Sequence, residues 1–413
     1  MTFDDVRMRG FRSRAGVDEV LAWIDTVATP PIGEFVTLDD AAGRVLVDDI
    51  VSEVDVPAFR RAAMDGYALM GASTFGATEA EPLRMRIVGD IRPGEDAPRD
   101  VPSGSALRIR TGASVPDGAD AVLPAEFAEV AGDALLVRGE VPPGRHVGPV
   151  GEDVARGTTI LLRGRVLRPQ DLGLLSSIGR WLVPVARKPR VLLVTTGSEV
   201  LPRGTRPTGT RTADANGPML AALLRRDGAL VTEIGPVPDG DPLLEALIAR
   251  HPGDLVVIAG ASSVGPDDVA PLLAARHGHL VFHGIAVRPA SPTGFATVAN
   301  RTLALLPGNP VSALCAYDLF VGRLVRRLGR RPPAMPYATI TRPLRRKLAS
   351  ELGRTDYVRV RLENGEVVPL TAGGAGILST AVRGDGFVVV AASCEGVDEG
   401  QAVCVHLYDD PGC

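Results

Sequence analysis

The chain has 413 residues, of which 45% are hydrophobic and 23% charged, a composition that excludes a largely disordered protein and suggests about two to four domains. Lysine and arginine total 45 against 49 aspartates and glutamates, so the formal charge is −4 and binding to nucleic acid is not expected. No apolar run is long enough to span a membrane, the first residues lack the apolar stretch of a signal peptide, and the four cysteines are far apart, so we expect a reduced, cytoplasmic protein.

The first part of the chain combines a helix with β-rich segments. Apolar residues at helical intervals predict an amphipathic helix over about 15–28, within a helix and linker region that covers 1–50. Short β-rich segments alternate with Pro and Gly turns from 51 to 149, which predicts a β-rich insert domain. The segment 150–187 contains a short helix over 170–178, and with 1–50 it is expected to form a mixed α/β connecting domain.

The second part of the chain, from residue 188, has a different pattern of predicted strands and helices. Four continuous apolar strands alternate with four helices between 188 and 329, which predicts a central doubly wound α/β domain with parallel strands buried on both faces. The last helix is expected to run from Pro310 to Leu328. Residues 334–413 return to a β texture and are predicted to form a C-terminal β-barrel-like domain. The fold class is therefore α/β multidomain.

Three loops at the carboxyl ends of these strands, where ligands bind in open α/β sheets, are rich in small residues. They are Thr195–Glu199, Gly260–Asp268 and Pro307–Ser312. Glycines and free N–H groups at a helix start let the backbone approach a phosphate closely. The carboxylates that accompany these loops are Glu199, Asp214 and Asp268. Phosphates together with carboxylates indicate Mg²⁺ between them.

Two familiar phosphate-binding signatures are missing. No Gly-x-Gly-x-x-Gly motif follows a predicted strand, which disfavours a nicotinamide-binding domain. Gly260 and Gly265 have the spacing of P-loop glycines, but Pro266 and Asp267 stand where Lys and Ser or Thr would be needed. The glycine-rich loops therefore belong to neither class.

Eight segments, in order and spread over nearly the whole chain, resemble the molybdopterin molybdenumtransferase family, also known as the gephyrin E domain family. They are Ala63–Ala68, Thr111–Val122, Gly151–Val154, Thr196–Val200, Asp214–Leu220, Gly260–Asp268, Phe282–Pro292 and Leu306–Ala313. Eight ordered motifs are far more specific than any single glycine-rich loop.

The resemblance implies an elongated, four-part chain that forms a homodimer around a molybdopterin-binding-like α/β domain. Its substrates would be adenylylated molybdopterin and molybdate, with Mg²⁺ as the cofactor. The enzyme would hydrolyse the adenylate, release AMP and leave molybdenum on the pterin dithiolene. The molybdopterin adenylyltransferase and molybdoenzymes are the protein partners that such a role implies.

The resemblance also implies roles for individual residues. Asp65, Glu199 and Asp268 would be catalytic and would hold the Mg²⁺. In the dimer, the β-rich insert of one subunit would approach the α/β domain of the other. The residues expected to bind the pterin nucleotide or the molybdate are Thr111, Asp153, Thr196, Gly197, Ser198, Asp214, Asn216, Gly260, Ser263, Gly265, Arg288, Ser291, Gly308, Asn309, Pro310 and Arg354.

The sequence departs from the family pattern in the segment that follows the Phe-His-Gly strand. The family carries Lys-Pro-Gly-Lys-Pro there, whereas this chain has Arg288-Pro289-Ala290-Ser291-Pro292. The arginine keeps the positive charge as a planar fork, but Ser291 removes a charge outright. The family's Gly-Gly pair in the second loop is Gly260-Ala261 in this chain. Ala375 stands where we expect a serine near molybdate, whereas the arginine of the family pattern is retained as Arg354.

Three hypotheses about the function remain, two of which follow from these departures. Because the chain has only two lysines, Lys188 and Lys347, it could be an active enzyme whose anion pocket is rebuilt with arginine. It could instead be a catalytically weakened paralogue that acts as a carrier of the pterin nucleotide or as a scaffold. A nucleotide pyrophosphatase or adenylyltransferase on the same central domain is disfavoured, because the flanking β segments also match the transferase family.

Overall fold

The computed structural model describes residues 11, 13–97, 100–250, 253–262, 265, 268–370 and 375–409. The chain forms two compact units, one made of residues 1–34 and 186–413 and the other of residues 35–185. It passes from one unit to the other within the strand Gly33–Thr37 and at the end of the strand Leu182–Ala186. No helix in the described ranges combines the length and the apolar character needed to cross a bilayer.

The unit 35–185 is built around a six-stranded sheet, in agreement with the β-rich texture of its sequence. Neighbouring strands are antiparallel, except that Leu83–Ile91 and Ser105–Ile109 run parallel. Alternate residues of Ser105–Ile109 pack into different apolar cores, so that both faces of the sheet are covered. In spatial order the strands are Ala121–Pro124, Gly66–Leu69, Ser105–Ile109, Leu83–Ile91, Ala134–Val137 and Ala128–Ala131.

Shorter elements complete this unit. The helix Pro169–Ser177 begins with a proline, whose missing N–H is not needed in a first turn, and Gly179 follows its end with a φ of +74°. Two short ladders pair Ile50–Val51 with Thr159–Leu161 and Arg61–Ala62 with Val147–Gly148. Single 3₁₀ turns cover Leu38–Asp40, Gly71–Thr74 and Ala125–Phe127.

The unit of residues 1–34 and 186–413 contains the central α/β sheet. In spatial order its strands are Leu230–Val237, Arg190–Thr196, Leu255–Ala259, Arg301–Leu306, Gly294–Val298 and His279–His283. The first four are parallel, as the sequence predicts. The last two are antiparallel to their neighbours, which the sequence analysis does not predict. The loop 284–293 between them is too short for the crossover that a parallel pair needs.

The central strands are buried on both faces, which confirms the doubly wound arrangement. Val191 and Leu193 belong to one apolar core, whereas Leu192 and Val194 belong to the other. The first core is covered by the helices Val17–Val27, Asn216–Arg226 and the long helix that starts at Pro310. The second core is covered by the helices Pro242–Arg250 and Ala270–His277.

The long helix is continuous but not uniform. It consists of Pro310–Ala316, a π-helical turn over Tyr317–Val321, and Gly322–Leu328, so the prediction of one regular α-helix is wrong in its middle. The wider turn accommodates two buried polar side chains, Tyr317 and Asp318. Local π-helical turns are often found where polar groups are inserted into a helix.

The C-terminal sheet curls back on itself, as the barrel-like prediction requires. Its strands, in spatial order, are Val287–Arg288, Thr355–Glu363, Gly386–Val390, Ala402–Leu407 and Thr339–Pro343, with Glu366–Pro369 paired to Thr355–Glu363. A bridge connects Leu344, which follows Thr339–Pro343, to Val367 in Glu366–Pro369. This part of the chain also contains a separate small ladder, Leu348–Ala349 with Gly396–Val397, and the short helix Ser379–Val382.

Candidate functional site

The carboxyl ends of the parallel strands open onto a cavity of about 760 Å³, which we call the acidic cavity. The loops after Arg190–Thr196, Leu255–Ala259 and Arg301–Leu306 all reach it, because parallel strands end at the same edge of a sheet. The predicted site residues that line it are Thr196, Gly197, Glu199, Asp214, Asn216, Gly260, Gly265, Asp268, Gly308, Asn309 and Pro310. The three glycine-rich loops therefore meet at one place.

Gly260 allows two of these loops to pack closely. Its φ of +108° lies in a region that residues other than glycine rarely adopt. A Cβ atom at this position would lie 2.5 Å from Thr196 Oγ1 and 2.6 Å from the carbonyl oxygen of Thr196. Glycine is therefore required where the loop after Leu255–Ala259 contacts Thr196, at the end of the strand Arg190–Thr196.

Asp214 and Asn216 are held in place at the start of the helix Asn216–Arg226. Asp214 Oδ2 accepts the hydroxyl of Thr195 at 3.0 Å, and its Oδ1 accepts the N–H of Gly217 at 2.8 Å. Asn216 Nδ2 donates to the carbonyl oxygen of Gly308 at 2.7 Å, which ties the third loop to this helix. Both polar side chains are thus oriented without a ligand.

Two further carboxylates are fixed by backbone N–H groups. Asp268 Oδ2 accepts the N–H of Gly265 at 2.7 Å. Asp239 Oδ2 accepts the N–H of Ser198 at 3.0 Å, and the Ser198 hydroxyl accepts the N–H of Asp239 at 3.0 Å. Ser198 therefore braces the loop and is not among the residues that line the cavity.

Asp239 is a lining residue that the sequence analysis does not predict. It follows the carboxyl end of Leu230–Val237, the fourth parallel strand. The rule that identifies the other three loops applies to this strand as well, so the signal was available.

The acidic cavity is lined by four carboxylates, and among the described residues no arginine, lysine or histidine lines it. A phosphorylated ligand would therefore meet a negative potential unless a cation accompanies it. Within the described ranges no three His, Cys, Asp or Glu side chains are close enough together to ligate one metal ion. Ser263, a predicted binding residue, lies outside the described residues.

A second cavity of about 700 Å³ shares the Gly308–Asn309 segment with the acidic cavity. It is bounded by the turn Arg288–Pro292 and by the C-terminal sheet. We call it the basic cavity, because four cationic side chains among the described residues line it, against one carboxylate, that of Asp356. The four cations are Arg288, Lys347, Arg354 and Arg359.

Arg288 is placed in the basic cavity by the pairing of two strands. The parallel register sets Arg288 opposite Asp356, and Arg288 Nε donates to Asp356 Oδ1 at 2.8 Å while Nη2 donates to Oδ2. Asp356 is only 2% exposed and also accepts the hydroxyl of Ser350 at 2.9 Å. One edge of the guanidinium is thus occupied by a buried carboxylate.

The other predicted anion contacts are in the same cavity. Ser291 lines it, and the Ser291 hydroxyl accepts Nε of Arg14 at 2.9 Å, so a cation stands beside this neutral residue. Arg354 lines it with its Nη1 at 3.6 Å from Glu351, beyond hydrogen-bond distance. Ala375 lines it without any polar group.

The remaining predicted residues lie in the unit 35–185. Asp65 Oδ1 accepts both the N–H of Thr111 at 2.7 Å and its hydroxyl at 2.8 Å, and these two bonds hold the pKa of Asp65 below its ordinary value. Asp65 and Thr111 therefore form one exposed polar pair. Asp153 is exposed and its N–H donates to the carbonyl oxygen of Val56 at 2.9 Å. The association of these residues with Glu199 remains a prediction.

Comparison with known proteins places most of the chain in one family. The model of the MoeA N-terminal region, domains I and II, matches residues 15–179. A probable molybdopterin binding domain matches residues 192–327, and the MoeA C-terminal region, domain IV, matches residues 341–408.

Individual relatives agree with these matches. Molybdopterin molybdenumtransferase 2 of Mycobacterium tuberculosis is 34% identical over 339 residues, 80% of this chain and 83% of its own length. The molybdopterin molybdenumtransferase of Haemophilus influenzae is 30% identical over 400 residues, which cover 94% of this chain and 96% of its own. The crystal structure of a molybdopterin biosynthesis MoeA protein from Pyrococcus horikoshii superimposes with a TM-score of 0.83 at 32% identity, over 96% of this chain and 100% of that one.

The fold and these relatives define the class as enzymes of molybdenum cofactor biosynthesis with a molybdopterin-binding type of α/β domain. The chain belongs to the molybdopterin molybdenumtransferase family, the MoeA family.

Proposed function

We propose that this enzyme inserts molybdate into adenylylated molybdopterin, hydrolyses the adenylate and releases AMP. The observation that supports this most directly is the pair of cavities of opposite charge that share Gly308 and Asn309. The reaction needs two anionic substrates side by side, one a phosphorylated pterin and the other a small oxyanion. An enzyme that binds one nucleotide alone has no need for the basic cavity.

The acidic cavity is the proposed site of the phosphorylated pterin. Its glycine-rich loops bring backbone N–H groups close to the ligand, and its carboxylates are the hard oxygen ligands that Mg²⁺ prefers. Mg²⁺ is usually held by one or two carboxylates together with substrate phosphates, which suits separate carboxylates better than a ready-made cluster.

Glu199 and Asp268 are the residues of this cavity that we propose as Mg²⁺ ligands. The ion, when bound, would neutralise the phosphoanhydride and make its phosphorus easier to attack. Asp214 and Asn216, fixed by Thr195, Gly217 and Gly308, would orient the pterin nucleotide. Asp65, the third residue implied as a ligand, lies in the unit 35–185, and its participation is a further part of the proposal.

The basic cavity is the proposed site of molybdate. Arg354 lies here with only a distant carboxylate partner, so its guanidinium is available to a dianion. The hydroxyl of Ser291 and the amide of Asn309 are further polar groups along the same wall. Because Asn309 also lines the acidic cavity, an oxyanion here would lie next to the pterin.

A weaker activity is the second candidate function, in which the chain carries the pterin nucleotide without efficient insertion. The observations that favour it are the neutral Ser291 and the occupation of Arg288 by Asp356, since both reduce the charge offered to molybdate. Loss of one charged contact typically lowers anion affinity by roughly 10- to 150-fold, which weakens binding without abolishing it.

The decisive experiment is to incubate the purified full chain with adenylylated molybdopterin and Mg²⁺ and to measure AMP as molybdate is added. We expect AMP release to depend on molybdate and to saturate. Binding of the nucleotide by calorimetry without any AMP release at millimolar molybdate would instead support the carrier. If the folded chain neither binds the nucleotide nor releases AMP, both functions are contradicted.

We infer a homodimer from the family resemblance. Sedimentation equilibrium of the purified chain should give twice the mass of one 43.3 kDa chain. A single-chain mass at micromolar concentration would contradict this part of the proposal.

A further inference from the structure

We propose that Lys347 is an anion-binding residue of the basic cavity and contributes to its affinity for molybdate. The inference rests on the proposed function for the identity of the anion. It rests on the structure for the choice of residue, because the four cations of this cavity are not equally available.

Two of the four cations are already engaged, Arg288 by a buried carboxylate and the buried Arg359 by a half-buried hydroxyl. Arg288 uses Nε and Nη2 on Asp356, whose carboxylate is 2% exposed. Arg359 is 6% exposed and donates its Nε to the hydroxyl of Thr380 at 3.1 Å. An anion would have to compete with these hydrogen bonds, and the Arg288–Asp356 pair adds no net charge to the cavity.

Lys347 is engaged only at the surface. Its Nζ lies 2.8 Å from Asp398 Oδ1, and both side chains are 67% exposed. The ladder that pairs Leu348 with Val397 explains this contact, because Lys347 and Asp398 flank its two strands. Exposed ion pairs of this kind are weak and exchange readily, so a dianion can take the place of Asp398.

The charges available to an anion therefore come mainly from Lys347 and Arg354, whose carboxylate partners, Asp398 and Glu351, are both exposed. Two available positive charges match the two negative charges of molybdate. The ammonium group of a lysine is a compact point charge on a flexible stem, which suits a tetrahedral oxyanion without a preferred planar edge.

The small number of lysines makes a direct test possible. Reductive methylation of the full chain with ¹³C-formaldehyde keeps the charge and labels Lys347, Lys188 and the α-amino group. Three methyl signals are then expected in the carbon-13 NMR spectrum, and Lys347→Arg removes and thereby assigns one of them. Lys188, which does not line the basic cavity, is the internal control.

Titration with sodium molybdate should move the Lys347 signal along a saturable curve and leave the Lys188 signal unchanged. Sodium chloride at equal ionic strength should move neither signal. The inference is overturned if Lys347 and Lys188 respond alike, if chloride reproduces the shift, or if no signal responds at millimolar molybdate.

Two substitutions that should change the dissociation constant for molybdate in opposite directions separate anion binding from a structural role. Lys347→Ala should raise the dissociation constant for molybdate roughly tenfold, and Lys347→Arg should retain most of the affinity. Asp398→Asn should lower the dissociation constant about twofold to threefold, because it frees the ammonium group. If the ion pair were only structural, Lys347→Ala and Asp398→Asn would change the affinity in the same direction.

The same measurements distinguish this inference from the proposed function. A saturable Lys347 shift without AMP release would retain the anion site and contradict the transferase activity. If Lys347→Ala instead releases AMP normally and keeps the molybdate KM unchanged, the transferase activity is retained and the role of Lys347 in anion binding is contradicted. Lys188→Ala should leave both the KM and the kcat unchanged.

Discussion

Arg288 and Asp356 form a two-point ion pair because the strands Val287–Arg288 and Thr355–Glu363 place them directly opposite each other. The carboxylate of this pair is buried, whereas the arginine side chain is 48% exposed toward the basic cavity. The pair therefore connects the central α/β part to the C-terminal sheet and at the same time restrains one of the cations of the cavity.

Asp356→Asn should lower stability and raise anion affinity together. The variant leaves the guanidinium with a neutral partner, so we expect the free energy of unfolding to fall by about 1–3 kcal/mol. Removal of a negative charge from the cavity should also lower the dissociation constant for molybdate. Urea denaturation and calorimetry measure the two effects.

Glu363→Gln is the matched control for this variant. Glu363 pairs with Arg345 and Arg361 at the surface, where ion pairs contribute little, so its loss should change stability by less than about 1 kcal/mol. Weaker molybdate binding in Asp356→Asn would indicate that Asp356 orients Arg288 for the anion and would contradict our expectation.

Thr111→Val should raise the pKa of Asp65. The hydroxyl and the N–H of Thr111 both donate to Asp65 Oδ1 and keep its pKa low, and valine removes only the hydroxyl. Carbon-13 NMR titration of aspartate carboxyls between pH 2 and pH 6 measures the shift. Thr111→Ser retains the hydroxyl and should leave the pKa of Asp65 unchanged. An unchanged pKa of Asp65 in Thr111→Val would contradict the prediction and show that the Thr111 N–H alone keeps this pKa low.

Asp318→Asn should remove a pH dependence of stability. Burial raises the pKa of Asp318 to about 6, although the hydroxyls of Tyr337 and Tyr357 donate to it at 2.7 and 2.9 Å. Between its ordinary pKa of 3.8 and about 6, the folded state keeps a proton that the unfolded chain has lost, so this group makes stability fall as pH rises.

The asparagine variant does not titrate, so its free energy of unfolding relative to the natural chain should increase between pH 4 and pH 6, by up to about 3 kcal/mol. Urea denaturation at several pH values, with Asp385→Asn as a control at the surface of the same unit, measures the difference. Parallel stability profiles for Asp318→Asn and the natural chain would rule out the titration.

Gly260→Ala should impair the acidic cavity more than a comparable change elsewhere. The new Cβ would lie 2.5 Å from Thr196 Oγ1, so the two loops would have to separate, and nucleotide binding should fall at least tenfold. Gly240→Ala is the matched control, because Gly240 also has a positive φ, +77°, but a Cβ there meets no atom within 4 Å. Equal losses of affinity in the two variants would mean that backbone strain, not the contact with Thr196, is responsible.

The position of the acidic cavity could be predicted from the sequence because its loops follow a simple rule. Each loop comes directly after a continuous apolar strand, and parallel strands end at one edge. Asp239 obeys the same rule, but Pro238-Asp239-Gly240 is also typical of an ordinary turn, so the sequence analysis does not predict it. The role of Ser198 was not predictable, because its partner lies 41 residues away in another loop.

The basic cavity was less accessible to sequence analysis. Arg288, Ser291 and Arg354 were found by family resemblance, but the burial of Asp356 against Arg288 depends on a pairing between strands 68 residues apart in the chain. Lys347 carries no local signal either, because it is an isolated basic residue before a two-residue strand. The π-helical turn at Tyr317–Val321 likewise depends on distant partners, since Tyr317 donates to Asp227 and Asp318 accepts from Tyr337.

The segment Gly308–Asn309 is a wall of both cavities, and Asn216 holds it through the Gly308 carbonyl. A ligand in either cavity would therefore lie against the same short piece of backbone. Thermodynamic reciprocity then requires that, if the bound nucleotide raises the affinity for the oxyanion, the bound oxyanion raises the affinity for the nucleotide by the same factor. Cooperative binding of the pterin nucleotide and the oxyanion would then follow from the backbone segment that the two cavities share.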